Sequence, residues 1–172
     1  YYIKHETSPV NFGSKQKYLT FNSSTTSVGL VANPVSARDI RRVIANATSL
    51  QVADRANIIM RVLAAMSACG VNQVLMMPEN GGICSLLKRG LQREQKLGDN
   101  RFPKLEMTDT PISGTVDDTF AATQAMVASG VKAIVVLGGD GTHRAVAKVC
   151  GQVPIAGIST GTNNAFPEHR EP

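Results

Sequence analysis

Three short segments of the sequence carry residue types suited to holding a phosphorylated ligand. They are Gly-Gly-Asp-Gly-Thr at residues 138–142, Gly-Thr-Asn-Asn at 161–164 and Asn-Pro-Val-Ser at 33–36. Their glycine, asparagine and proline residues are unfavourable inside helices and strands, and each segment follows a short apolar run. The sequence therefore predicts three loops with the composition of a ligand site.

The glycine-rich segment at 138–142 has the composition of an anion site. Three glycines around one acidic residue allow a tight turn whose backbone N–H groups point outward together, and a helix N-terminus behind such a turn favours a phosphate. We expect glycine there because a Cβ would keep phosphate oxygens at a distance. The segment is not a P-loop, since no Gly-Lys-Ser/Thr follows, and it lacks the spaced glycines of the dinucleotide fingerprint.

Asp140 needs its own explanation, because a carboxylate in an anion site repels the anion. It could orient a hydroxyl group, hold Mg²⁺ or accept a proton during phosphoryl transfer. The alternative is structural: a sharp turn from strand to helix in which Asp140 caps the helix. The residues alone leave these interpretations open.

The other polar residues near the loops also have two interpretations each. Asn163 and Asn164 could bind a base, a ribose or a phosphate, or they could bond their own backbone in Asx turns. Asn33 could line a ligand cleft or form a simple turn before proline. His143 and Arg144 follow the glycine-rich loop and could either contact phosphate or face solvent.

The surrounding sequence alternates between strand and helix patterns. Apolar runs predict strands at 28–32, 74–77, 105–108, 132–137 and 153–157, and the segments between them carry helical spacing. The first helix is predicted to begin at Ser36, and another is predicted over 142–149. This alternation predicts an α/β fold with an open, mainly parallel, Rossmann-like sheet and helices on both faces. The three loops follow the first, fourth and fifth strands, so we expect them at one edge of the sheet.

Composition excludes several other classes of protein. The chain has 172 residues, 42% of them hydrophobic, and a net charge of +5. That length suits about one domain, and no apolar run approaches the roughly 18 residues of a membrane span. Basic residues lie on several helices without interleaved aromatics, which argues against nucleic-acid binding. Three widely spaced cysteines fit neither a disulfide framework nor a zinc motif, so we expect a reduced, cytoplasmic setting.

Residues 1–27 differ from the rest in being rich in aromatic residues, serine and threonine. They contain neither the apolar stretch of a secretory signal nor the arginines of a transit peptide. We interpret them as an N-terminal extension whose role the sequence does not reveal.

Taken together, the three loops resemble those of the superfamily of NAD kinases, diacylglycerol kinases and sphingosine kinases. Residues 138–142 resemble the Gly-Gly-Asp-Gly-Thr signature of that group, and residues 33–36 are similar to the Asn-Pro-x-Ser-Gly loop of its lipid kinases. Residues 161–164 resemble the Gly-Thr-Gly-Asn-Asp loop, with Asn163 in place of glycine. Over residues 28–172 the sequence around the loops is most similar to the ATP-NAD kinase-like branch of bacterial acetoin catabolism, the AcoX proteins.

The resemblance implies a two-domain kinase. Residues 28–172 would form its α/β nucleotide-binding domain, and the β-rich C-terminal domain of the family would lie beyond this chain. Asp140 would be the catalytic acid near the acceptor hydroxyl. With Arg144 added for its place beside the loop, the nucleotide-binding residues would be Asn33, Ser36, Gly138, Gly139, Gly141, Thr142, Arg144, Gly161, Thr162, Asn163 and Asn164. ATP and NAD are the implied ligands and Mg²⁺ the implied metal, with no residues assigned to it.

We therefore expect a phosphotransferase that moves a phosphoryl group from ATP to a hydroxyl, by resemblance the 2′-OH of NAD. This chain alone should have little activity, and an apolar face left open for the second domain should make it a homo-oligomer. The alternative is a non-catalytic, nucleotide-sensing module that regulates a catabolic pathway. A lipid kinase is a weaker third option, because the sequence shows no amphipathic or polybasic membrane face.

Overall fold

The computed structural model describes residues 26–33, 52–98 and 101–159. In these ranges five strands alternate with four helices: β1 Ser27–Ala32, α1 Val52–Ala68, β2 Gln73–Met76, α2 Ile83–Lys96, β3 Lys104–Met107, α3 Val116–Ala128, β4 Ile134–Gly138, α4 Asp140–Val149 and β5 Ile155–Ser159. The helix predicted from Ser36 and nearly all of the N-terminal extension lie outside the described residues.

The five strands form one parallel sheet in the order β3-β2-β1-β4-β5. This is the strand order of a Rossmann-like sheet, and it confirms the predicted α/β class. β1 lies at the centre and is buried along its whole length. β3, which carries alternating charged and apolar residues, lies at an edge, where one side of the strand needs no partner.

Helices cover both faces of the sheet, as predicted. On one face α1 and α2 pack against Val28 and Leu30 through buried residues such as Leu63 and Leu87. On the other face α3 and α4 pack against Val31 through Met126 and Val146. Successive residues of β1 therefore enter opposite cores, because side chains alternate across a strand.

All five strands lie where the sequence predicts them, with ends that differ by at most two residues. The fourth begins at Ile134 rather than at Lys132, which is exposed and precedes the sheet proper. The fifth begins at Ile155, since Val153 still donates to the carbonyl of Cys150 in the turn after α4. The apolar runs thus predict the approximate position of each strand along the chain but not its terminal residues.

Candidate functional site

The ends of β1 and β4 create the candidate site. These two strands are neighbours, with Ala32 paired to Leu137, so Asn33 and the loop that follows Gly138 lie at the same edge of the sheet. From β1 the chain continues to β2 and β3 on one side, whereas from β4 it continues to β5 on the other. Such a switch in direction leaves a crevice at the carboxyl ends of the strands, where parallel sheets bind ligands.

The structure thus brings Asn33 and residues 138–142 together, as expected from their positions after neighbouring strands. Ser36 and the predicted site residues 161–164 lie outside the described residues. Their part in the site stays a prediction.

The glycine-rich loop is a direct junction between β4 and α4. Gly139 is the N-cap of α4 with φ of −89° and ψ of 179°, and the helix begins at Asp140 rather than at Thr142. The amides of Thr142 and His143 both donate to the carbonyl oxygen of Gly139, at 3.0 and 3.2 Å. Asp140 is therefore the first helical residue, and the interpretation of Asp140 as the N-cap is wrong.

The glycines of this loop are explained by space rather than by backbone conformation. A Cβ at Gly138 would lie 2.8 Å from both Cβ and Oγ1 of Thr142, so the buried Thr142 side chain requires glycine there. A Cβ at Gly141 would meet nothing within 4 Å. None of these residues needs a left-handed backbone. Gly141 instead leaves the first turn of α4 open, where helix N–H groups have no intrahelical partner and can bind an anion.

The two residues after the loop differ in their surroundings. Arg144 is exposed, and so is free to reach a charged ligand or solvent. His143 is half-buried, and its Nδ1 lies 2.9 Å from the carbonyl oxygen of Gly139. Its Nε2 is buried and has no hydrogen-bond partner among the residues that the structure describes.

Arg55 belongs to this region, although the sequence analysis did not select it. It lies on α1, is only 5% exposed, and its Nη1 donates to the carbonyl oxygen of Asn33 at 3.1 Å. Arg55 and Leu137 also line the same small cavity, which places a positive charge behind the ends of β1 and β4. One feature of the sequence could have pointed to Arg55. It is a charged residue four positions before Ile59, so it lies on the face of α1 that otherwise carries apolar residues.

A cavity of about 190 Å³ adjoins the site on the side of β2. It lies between Asn33 at the end of β1, the segment after β2, and the loop that leads into α3. Its polar lining residues are Asn33, Glu79, Asn80, Ser113, Thr115 and Asp118. The charged members of this set are both acidic, so the cavity is unsuited to a phosphate and favours neutral or cationic hydrogen-bond donors.

Asp118 organises the loop at one wall of this cavity. Its carboxylate accepts hydrogen bonds from the amide and hydroxyl of Ser113, at 2.7 and 2.6 Å, and from the amide of Gly114, at 2.7 Å. The hydroxyl and amide of Ser113 and the amide of Gly114 hold the pKa of Asp118 below its ordinary value, against the opposing effect of burial. Asp118 therefore serves the fold of the loop more than a ligand.

Glu79, at another wall of the cavity, is only partly used by the fold. Its Oε1 accepts a hydrogen bond from the amide of Cys84 at 2.7 Å, in the first turn of α2. Its Oε2 is buried and makes no hydrogen bond with any of the described residues. Burial and the Glu79 carboxylate raise the pKa of the Cys84 thiol to about 12, so Cys84 is not a nucleophile at neutral pH.

The described ranges lack two further classes of site. They contain no cluster of three or more histidine, cysteine, aspartate or glutamate side chains that could hold a metal ion. None of the described helices has the length and apolar character needed to cross a membrane.

Comparison with known proteins agrees with the geometry. The family described as ATP-NAD kinase N-terminal domain matches residues 28–172. The chain is also 60% identical over 145 residues to Acetoin catabolism protein X of Cupriavidus necator, an alignment that covers 84% of this chain and 40% of the relative. The chain thus spans less than half the length of that relative. No solved structure matches significantly.

The matched region contains all five strands apart from the first residue of β1, the switch between β1 and β4, and the glycine-rich junction with Asp140. The resemblance inferred from the three loops is therefore confirmed. The chain belongs to the ATP-NAD kinase family, of which it carries the N-terminal domain.

Proposed function

We propose that this chain is the nucleotide-binding part of a kinase that transfers the γ-phosphoryl group of ATP to a hydroxyl group, by family the 2′-OH of NAD. The observation that carries the proposal is the junction between β4 and α4. It combines an open helix N-terminus with one carboxylate, Asp140, at the switch point of a parallel sheet. The similarity to the Cupriavidus necator protein supports a role of the whole protein in acetoin catabolism.

The phosphates of the nucleotide would lie against the first turn of α4. Gly141 leaves room for their approach, and the N–H groups and dipole of the helix favour their charge. The buried guanidinium of Arg55 adds positive potential behind the site while holding the carbonyl of Asn33. We propose that Arg144, Ser36 and residues 161–164 complete the phosphate site.

The nucleoside part of a bound nucleotide would occupy the cavity next to Asn33. That cavity has acidic and neutral lining residues, which suit hydroxyl and amino groups but not phosphate. The buried Oε2 of Glu79 has no partner within the described part of the chain and would accept a hydrogen bond from such a donor. A bound nucleotide would then lie across the crevice, with its phosphates at α4 and its nucleoside at Glu79.

In the reaction, Asp140 would accept the proton of the acceptor hydroxyl. The hydroxyl oxygen forms its bond to the γ-phosphorus as the bond to the bridging oxygen breaks, and the electron pair of that bond leaves with ADP. Mg²⁺ would be held mainly through the phosphates of the nucleotide and water, and no residue of this chain is assigned to it. When bound, it would neutralise charge on the phosphates.

The first experiment is Asp140→Asn in the full-length protein. Asparagine keeps the size of the side chain and removes its charge, so ATP affinity should hold or rise slightly. Turnover should fall by about 10²- to 10⁴-fold, the effect expected for a lost acid–base group. Both are measured, by ATP titration and by phosphorylation of NAD.

Gly139→Ala is the matched variant for the phosphate site. The backbone of Gly139 is ordinary extended backbone that alanine adopts without strain, so weaker ATP binding would report crowding of the phosphates. Full turnover in Asp140→Asn would overturn the catalytic role. ATP binding by the wild-type protein without any turnover would favour a nucleotide sensor instead. The cytoplasmic location and the homo-oligomer stay predictions.

A further inference from the structure

The outer face of α1 and α2 carries a groove that is separate from the candidate nucleotide site. It has a volume of about 490 Å³ and is lined by residues of both helices and by Arg101 and Phe102, which precede β3. On α1 the lining extends from Ala53 to Ala64, which is about 16 Å of helix at a rise of 1.5 Å per residue. The groove is therefore about as long as three turns of a helix.

The floor of this groove is apolar, and several of its residues are small. Its apolar lining residues include Ala56, Met60, Ala64, Leu86, Gly90 and Phe102. Small side chains at a contact shorten the distance at which two helix axes can pack. The shape of the groove thus suits a third helix lying against α1 and α2.

Gly90 is the residue that points to an occupant. It lies in the interior of α2, where glycine destabilises a helix relative to alanine. Among the described residues, a Cβ at Gly90 would meet only the methyl carbon and the sulfur of Met60, both at 3.5 Å, which is ordinary contact. The packing of α2 onto α1 therefore accepts alanine at this position. A surface that approaches α2 from outside explains the glycine instead.

Leu97 extends the apolar floor beyond the last turn of α2. It is the C-cap residue of this helix, and it follows Arg93 by four positions, so it continues the face that lines the groove. Its side chain is 72% exposed. A partner that covers the groove would also cover this leucine.

The charges of the groove select the class of occupant. Its charged lining residues are Arg61, Arg93, Arg101 and Glu94, so three arginines against one glutamate give a net charge of +2. Nη2 of Arg101 lies 3.2 Å from Oε2 of Glu94, so the acidic group is already matched by an arginine. The groove therefore favours an occupant that combines an apolar side with carboxylates.

The remaining segments of this chain do not have that chemistry. Residues 1–25 carry three lysines and one glutamate, and residues 34–51 carry three arginines and one aspartate, so the groove would repel both. Residues 160–172 carry two glutamates, but Pro167 and Pro172 bracket them in a stretch too short for three turns. Two copies meeting groove to groove would repel each other as well. Charge complementarity thus favours another protein.

We propose that the groove between α1 and α2 binds an acidic amphipathic helix of another protein. The apolar side of that helix lies on the floor beside Met60 and Gly90, and its carboxylates meet the guanidinium groups of the groove. This is the helix-in-groove mode of recognition. The inference does not rest on the proposed kinase activity, because the groove shares no lining residue with the cavities beside Asn33.

The test uses two stapled helical peptides of about 15 residues, a length that spans the groove. Both carry leucines along one face, which glutamates flank in one peptide and lysines in the other. Calorimetry measures their affinities for the full-length protein. The acidic peptide should bind at least about 10-fold more tightly than the basic one. Raising the salt concentration from about 0.05 M to about 0.5 M should reduce this preference, because salt screens exposed charges.

A charge reversal assigns the binding to the groove. Arg93→Glu should weaken binding of the acidic peptide by about 5- to 30-fold and strengthen binding of the basic one. Lys88→Glu is the matched control, because Lys88 is exposed on the same helix but does not line the groove. It should change either affinity by less than about 2-fold.

Gly90→Ala tests the close approach of the occupant. It should raise the melting temperature by about 1–4 °C, since alanine is the better helix former. It should also weaken binding of the acidic peptide by about 3- to 10-fold, since the new Cβ stands between the two helices. A variant that is more stable but binds less well excludes unfolding as the cause.

Several results would overturn the proposal. They are equal affinities of the two peptides, binding of neither peptide, and equal losses in Arg93→Glu and Lys88→Glu. Unchanged peptide affinity in Gly90→Ala would overturn the placement of the helix on α2. Vesicles of phosphatidylglycerol are added as a competitor. If the protein binds them in an Arg93-dependent manner and does not bind the acidic peptide, the groove is a membrane contact and the proposal fails.

Discussion

Two glycines that look alike in the sequence have different physical roles at the start of α4. Gly138 makes room for the buried Thr142 side chain, whereas Gly141 faces open space. Only the second can be explained by the approach of a ligand. Separating them requires the structure, because both belong to the same pentapeptide and neither has an unusual backbone.

Alanine substitutions should separate these roles. Gly138→Ala should lower the free energy of unfolding by about 1–3 kcal/mol through overpacking against Thr142. Gly141→Ala should raise it by about 0.5–1 kcal/mol, since alanine is the better helix former, yet should weaken ATP binding. Urea denaturation and ATP titration measure the two quantities. Unchanged ATP affinity in Gly141→Ala would contradict the placement of phosphates at this turn.

The residues of the site were only partly visible in the sequence. Gly138, Gly139, Asp140 and Asn33 follow apolar runs at neighbouring strand ends, so their meeting could be predicted from the parallel pattern. Arg55 and Glu79 were missed. Each is a charged residue whose importance comes from burial and from a hydrogen bond with the backbone, and no motif records such contacts.

At the scale of elements, the entry into α3 shows how a loop beside the site is held. Thr115 is the N-cap, and its hydroxyl oxygen accepts from the amide of Asp117. The carboxylate of Asp118 reaches back to Ser113 and Gly114, whose φ of 78° suits glycine. Several short-range bonds therefore fix the wall of the cavity before any ligand binds.

The stability that Asp118 contributes should depend on pH. Because its pKa is lowered in the folded chain, the contribution is fully present above the unfolded value of about 3.9 and is lost as pH falls through the folded value. Asp118→Asn should cost about 1.5–3 kcal/mol at pH 7, since hydrogen bonds to a charged acceptor are lost. Urea denaturation at pH 7 and at pH 3 should show this cost shrinking. A cost that is independent of pH would contradict the assignment.

The boundaries of α4 show why sequence patterns place elements better than their ends. The helix begins at Asp140, two residues before the predicted start, although aspartate and glycine are weak helix formers. In the first turn, however, a carboxylate is favoured by the helix dipole. Helix propensity alone therefore predicts the wrong start for α4, because the electrostatic environment of a helix end favours aspartate there.

At the scale of the whole molecule, the site depends on how closely α3 packs onto the centre of the sheet. Gly29 lies in the middle of β1, and a Cβ there would lie 2.7 Å from Sδ of Met126 and 3.1 Å from Cγ1 of Ile134. Met126 belongs to α3 and is fully buried, so it has little room to move. The absent side chain of Gly29 thus allows the contact between helix and sheet on one face, within the strand that ends just before Asn33.

This contact predicts a coupling between Gly29 and Met126. Gly29→Ala should lower the free energy of unfolding by about 1–3 kcal/mol through overpacking, and Met126→Ala by about 2–5 kcal/mol through the cavity that it leaves. In the double variant the new Cβ of residue 29 occupies part of that cavity. The combined loss should therefore be smaller than the sum, by about 0.5–3 kcal/mol. Gly141→Ala combined with Met126→Ala is the control, because these positions share no contact within 4 Å of the added Cβ and their effects should add. Additive losses for Gly29 and Met126 would mean that the sheet accepts a side chain at its centre by shifting α3, and that the close packing of this helix does not hold the end of β1 in place.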